Sequence, residues 1–251
     1  MSDVDKTASR TVDGAGIQPG VLAKVRALLA KAESTTFAPE AEALTAKAHQ
    51  LVARYSIDTA LMEDGHTTDG VLARPVAVDA PYARAKFHLL GQVARACRCR
   101  VLWQVDLGIA TVFGFAGDLD ATELLYTSLL LQATTAVMLE RSPRGAPANV
   151  AAFRRAFLYA FANRIGQRLR ASAAQVVAEA SQDHSGSLLP VLTSREAAVE
   201  AALAEAFPNT RAVRFSVSDA RGWRAGVDAA ERASLSTQPP LSGRGALGRA
   251  G

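Results

Sequence analysis

The chain predicts an α+β protein, mainly helical: an N-terminal helical hairpin, then a domain of long helices packed on a small antiparallel sheet. Three observations carry this. Asn149–Arg170 places Phe153, Phe157, Phe161, Ile165 and Leu169 at every fourth residue, the repeat of one helical face. Val21–Ala32 and Pro39–Tyr55 each carry a helical apolar stripe around a short polar break. Val101–Val105 and Ile109–Phe115 read as two strands joined by the short turn Asp106-Leu107-Gly108. Hydrophobic residues make up 49% of the 251, enough for a substantial core, but aromatics are only 6%, so Ala, Leu and Val must fill most of it.

Taken in order, residues 1–18 lack hydrophobic periodicity and read as a disordered tail. Residues 19–63 form the hairpin, with Leu22, Val25, Leu28, Leu29 and Ala32 in one stripe and Leu44, Ala48, Leu51, Val52 and Tyr55 in the other. Pro39 suits the first turn of its second helix, Glu40 and Glu42 suit that helix's positive end, and Ile57–Met62 adds a turn. A hairpin this small cannot bury its own stripe, so it must dock, and Leu28, Leu29, Leu51 and Val52 are the expected contacts. Residues 64–80 read as a linker in which Val71–Val78 holds at most a short edge strand, because Pro75 cannot donate to a ladder.

The main domain spans residues 81–236. Tyr82–Arg98 reads as a helix with Phe87, Leu90, Ala94 and Cys97 on one side. After the two strands, Ala116–Glu140 reads as a buried helix, apolar nearly all round, with Asp118 as its cap. The Phe-rich helix follows the loop Ser142–Ala148, runs towards Ala180 and is broken by Ser181–Gly186. Leu188–Leu192 reads as a short strand, and Thr193-Ser194-Arg195-Glu196 as a capping box opening a helix to Phe207. Arg211–Val217 alternates as a strand. Gly222–Leu235 is a last helix whose Gly222, Gly226, Ala229, Ala230 and Ala233 permit close packing, and residues 237–251 read as a second disordered tail.

The sequence Leu22–Asp58 resembles the bacterial and phage domain-of-unknown-function family 2786, through its K-x-x-x-L-L-x-K-A-E-S opening, E-A-E-A-L-x-A-K-A centre and R-Y-x-I-D close. The remainder resembles the companion domain that often follows that hairpin, through VLW, GFAGDLDATELLYTSLLLQA, FRRAFLYAFANRIGQRL and GWRAGVDAAERASL; together the likeness covers most of residues 20–236. The family carries no established activity. The resemblance therefore implies a fold and transfers no catalytic residue.

Charge is segregated along the chain. Net charge is +4, yet Pro81–Arg100 holds five basic residues and no acid, Val101–Glu140 five acids and no Lys or Arg, and Arg141–Arg170 seven arginines and no acid. Such blocks either neutralise one another inside the fold or leave a basic face exposed. Helical spacing puts Arg154, Arg164 and Arg168 within the arc of the phenylalanines, where a guanidinium needs a carboxylate or an anionic ligand. If the helix of Ala116–Glu140 lies antiparallel beside it, Asp118, Asp120 and Glu123 are the expected partners. Arg221 and Arg224, flanking Trp223 at the start of the last helix, are the other candidate anion ligands.

Metal chemistry is poorly supported, since His49, His66, His88 and His184 are isolated and Cys97-Arg98-Cys99 is not a paired zinc motif. No G-x-S-x-G marks a nucleophile, and the Gly114–Asp118 turn lacks a phosphate-loop lysine. No cofactor is expected. No apolar run is long enough for a membrane, the polar, acidic start is unlike a signal peptide, and two cysteines at so close a spacing fit a reducing cytoplasm. The leading expectation is a non-enzymatic cytoplasmic binding protein with nucleic acid as partner. The alternatives are an enzyme on a phosphorylated or nucleotide-like substrate with arginine clamps, and an adaptor that binds another protein through its hairpin.

Overall fold

The computed structural model describes residues 19–35, 38–62, 70–140, 147–183, 188–211 and 217–233. The two tails, the 63–69 part of the connection after the hairpin, and most of the strand expected at Arg211–Val217 lie outside these residues.

The hairpin is α1 (Pro19–Ser34) and α2 (Ala38–Met62). Its turn is tied by Thr35 Oγ1, which donates to Glu40 Oε2 at 2.8 Å, and by Lys31 Nζ, 3.2 Å from Glu40 Oε1. Val25, Leu29, Ala48 and Val52 are buried in the main core, with Leu28, Leu51 and Tyr55 packed half-buried against it. So the expected docking face is the observed one. Further along α2, Ala53, Ile57 and Ala60 enter a second apolar cluster with residues of two later helices.

Three strands follow: β1 (Leu72–Ala77), β2 (Arg100–Gln104) and β3 (Ile109–Gly114). They form an antiparallel sheet in the order β1-β3-β2, with Leu72 opposite Gly114 and Arg100 opposite Phe113. Pro75 sits on the edge strand, where a missing N–H costs least. Between β1 and β2 lies α3 (Ala83–Ala96). A single 3₁₀ turn, Val105–Leu107, closes the β2–β3 hairpin, and Gly108 takes the left-handed φ of 64° that ends it.

Four more helices complete the described fold: α4 (Ala116–Leu139), α5 (Pro147–Asp183), α6 (Leu188–Ala206) and α7 (Ala220–Arg232). At 37 residues, α5 is about 55 Å long. It is also the centre of the core: Phe157, Phe161, Ala162, Ile165 and Leu169 are all at most 1% exposed. Along it run α3 and α7. His88 of α3 meets Asn163 and Gln92 meets Arg170, while Gly222 of α7 lies on Phe153 and Gly226 on Phe157. Both neighbours are therefore parallel to α5.

Three expectations need correction. Asp118 does not cap α4: the N-cap is Phe115, with no side-chain cap, and Asp118 lies inside the first turn, 4% exposed. Its carboxylate is taken by a distant partner, described below. The strand expected at Leu188–Leu192 is the first turns of α6. There the Thr193 hydroxyl donates back to Leu189 O at 2.9 Å, so the capping-box pattern falls inside a helix already begun. Nor is α4 buried all round: Leu131, Met138 and Leu139 are 53%, 75% and 81% exposed, while Leu129, Ala133 and Val137 of the same stretch stay buried in the core.

The α5–α7 contact is backbone-close. A Cβ on Gly226 would overlap the carbonyl oxygen of Phe157, and one on Gly222 that of Phe153. Gly226→Ala would gain roughly 1 kcal/mol of helix propensity. We expect it nevertheless to lower unfolding stability by about 1–3 kcal/mol, because α7 must move off α5. Urea denaturation checks this, and a stabilised variant would mean that the helices are not held so closely.

His49 of α2 is 2% exposed, with Nδ1 3.1 Å from Ser172 Oγ of α5. Burial pushes its pKa down to about 4. The unfolded chain then binds a proton that the folded chain refuses between pH 6.5 and 4, so the stability contribution is complete above pH 6.5 and shrinks as pH falls. The loss should approach about 3 kcal/mol by pH 4. Stability measured against pH for wild type and His49→Gln should show the variant falling less steeply over that window.

Candidate functional site

Each arginine singled out from the sequence has a definite place. On α5, Arg164 Nε donates to Glu231 Oε1 of α7 at 2.5 Å and its Nη1 to Gln167 Oε1 at 3.1 Å. Arg168 Nη1 donates to the carbonyls of Ala230, Glu231 (3.2 Å) and Ala233 (2.7 Å), the last turn of α7. A helix C-terminus leaves such carbonyls unpaired and carries partial negative charge, so a guanidinium there satisfies both. Arg154 is half-buried, and its Nε finds no hydrogen-bond partner among the described residues. Arg221 and Arg224 are exposed, while Trp223 between them is half-buried and packs on the core.

The three acids have other partners than those arginines. Asp120 Oδ1 lies 2.9 Å and Glu123 Oε2 3.0 Å from the guanidinium of Arg74 on β1. Asp118 accepts a hydrogen bond from Ser56 Oγ of α2, and Arg195 of α6 lies 3.9 Å away. The expected pairing required α4 to lie alongside α5. Instead α3 and α7 flank α5 and α4 touches it sparsely, with Glu140, at the far end of α4, 3.3 Å from Arg232 of α7.

Around Asp118 four elements meet. Arg98, held at a positive φ of 58° after α3, donates from Nη1 to Ser56 Oγ at 3.1 Å. Arg195 also stacks over the Phe115 ring, 3.6 Å from its centroid, a cation–π contact. Thr122 Oγ1 donates to Asp118 O at 2.7 Å. This network fastens the hairpin to α4 and α6. The cysteines beside it are poor nucleophiles: burial pushes Cys97 up to about 12 and holds Cys99 well above the usual thiol value, and the charge of Asp118 acts in the same direction.

A further group of arginines lines a cleft of about 1260 Å³ between α3, β2 and the end of α6. Its walls bring together aromatic rings, His88, and three arginines, Arg95, Arg100 and Arg211, and none of its described lining residues is acidic. Phe87 and Trp103 stack with centroids 5.1 Å apart and planes 21° from parallel. The Trp103 Nε1 is buried with no hydrogen-bond partner among the described residues. At one rim Phe207 meets Phe113 edge-on, at 6.1 Å. Arg100 is held by Glu200 and lies 3.9 Å from Glu196, so its charge is already balanced. Arg95 and Arg211 are exposed and have no carboxylate partner among the described residues.

His88 Nε2 donates to Asn163 Oδ1 at 2.7 Å. Burial lowers its pKa, opposed by that hydrogen bond and aided by the charge of Arg95. Its hydrogen bond to Asn163 fixes the ring as a polar part of the cleft wall. Among the described residues no three His, Cys, Asp or Glu side chains gather as metal ligands, and no helix is long and apolar enough to cross a membrane. The sequence signal for this cleft was the acid-free basic block Pro81–Arg100. Nothing in the pattern of Phe207–Arg211 announced that it would face that block.

Residues 20–59, which are α1 and most of α2, match the family model described as Protein of unknown function (DUF2786). No curated protein and no solved structure matches the chain.

Because Arg168 serves three carbonyls of α7, Arg168→Met should leave them without a donor. The cost should be about 1–3 kcal/mol of unfolding stability. A parallel rise in amide exchange along α7 would locate the loss; unchanged stability would mean that water replaces the guanidinium there.

Proposed function

We propose that this chain is a non-enzymatic binding protein whose partner is nucleic acid, taken up in the cleft between α3, β2 and the end of α6. One observation carries the reading: this is where aromatic rings and arginines without carboxylate partners share a concave surface with no acid among its described lining residues. Arginine supplies the charge and the fork geometry that phosphate needs, and a base offers a flat apolar face to rings. The deeper arginines Arg164 and Arg168 are engaged by α7 and take no part. Catalysis on a nucleotide is the weaker alternative, because the buried carboxylate that could support it, Asp118, is engaged by Ser56 in the hairpin junction.

Binding of this kind is salt-dependent, since each phosphate neutralised releases counterion. We expect short DNA or RNA, titrated at two salt concentrations, to bind more weakly at the higher one, and Arg95→Glu to weaken binding and flatten the salt slope by about one unit. Arg95 is exposed, so the substitution leaves the fold intact. Absence of detectable binding at low salt to any of these probes overturns the reading.

A further inference from the structure

We infer that the cleft takes a single strand, a segment on the order of four nucleotides, with Trp103 as a stacking platform and Arg95 and Arg211 holding the phosphates. The inference rests on the nucleic-acid reading above and narrows it. Size is the first argument. At about 1260 Å³ the cleft exceeds the roughly 300–1,000 Å³ of a pocket for one small molecule, so one nucleotide would leave it partly empty. A duplex has the opposite problem, because its bases face one another and only their edges and the backbone are open to contact. The rings lining this cleft can be used only by bases whose faces are free.

Polar placement is the second argument. The Phe87–Trp103 stack extends an apolar surface that one base can continue without reading sequence, since every base has a π face. Arg95 leaves α3 and Arg211 follows α6, so the two cations reach the cleft from different elements. Both are then available to phosphates of a strand lying in the cleft. Low sequence preference follows, because stacking and phosphate contacts carry the affinity.

The test uses the full-length protein and oligothymidylates of two to twelve nucleotides, with a duplex of matched length as the competitor. Intrinsic fluorescence in a Trp223→Phe background reports on Trp103 alone, the other of the two tryptophans. We expect quenching on binding, affinity that rises with length and levels off near four nucleotides, and at least tenfold weaker competition by duplex. Trp103→Leu should weaken binding about tenfold, whereas Trp103→Phe, which keeps a ring for packing, retains most of it. Arg95→Glu and Arg211→Glu, both at exposed positions, give the same answer without touching the core. Duplex that binds as tightly as single strand, or binding without quenching and indifferent to Trp103→Leu, overturns the single-strand inference while leaving the nucleic-acid reading standing. If neither strand form binds at low salt, that reading fails, and this one with it.

Discussion

The architecture depends on how closely α7 approaches α5. Gly222 and Gly226 bring one helix backbone against the carbonyls of Phe153 and Phe157, with no side chain between. At that separation the last turn of α7 comes within reach of Arg168, and Glu231 within reach of Arg164. Two guanidiniums that would be costly on an apolar helix are satisfied by a neighbour's end rather than by an acid of α4. With α3 along a second side of α5, few positions remain for α4, which reaches the end of α7 through Glu140 and Arg232 instead.

The hairpin is joined to this frame by two kinds of contact. Apolar side chains of α1 and α2 enter the main core, and the far end of α2 enters a second cluster with α5 and α6. Between these, Ser56, Arg98, Asp118 and Arg195 form a polar junction of which Asp118 is 4% exposed. Leaving a buried carboxylate without its partner is costly, so the junction favours the placement of the hairpin that supplies Ser56. It also settles the chemistry there: the acid is occupied and the thiols nearby are held protonated by burial.

Charge segregation has a double outcome. Part of the basic excess is spent internally, in Arg74 with Asp120 and Glu123, Arg100 with Glu200, and Arg164 with Glu231. Part is left at the surface, where Arg95 and Arg211 edge a cleft with aromatic walls. The polar groups in that cleft are preformed. His88 is fixed by Asn163, and Gln92 by Arg170, so a ligand would meet a wall already oriented.

Local periodicity was sufficient for much of this. The phenylalanine repeat marked the central helix, the paired stripes marked the hairpin and its docking face, the alternation around Asp106-Leu107-Gly108 marked the β2–β3 hairpin, and the small residues of the last helix marked a close contact. These are short-range signals, and side-chain size and spacing are enough to carry them. The strand reading of Leu188–Leu192 failed because a short apolar run does not distinguish strand from helix, and packing against α2 and α5 decided for helix. Which charge meets which was beyond the sequence: Arg168 finds carbonyls 62 and more residues away, and Asp118 a serine 62 residues before it. The cleft likewise needed the end of α6 brought against α3 and β2. Partners so distant along the chain are chosen by helix crossing and backbone approach, and those exist only once the core has packed.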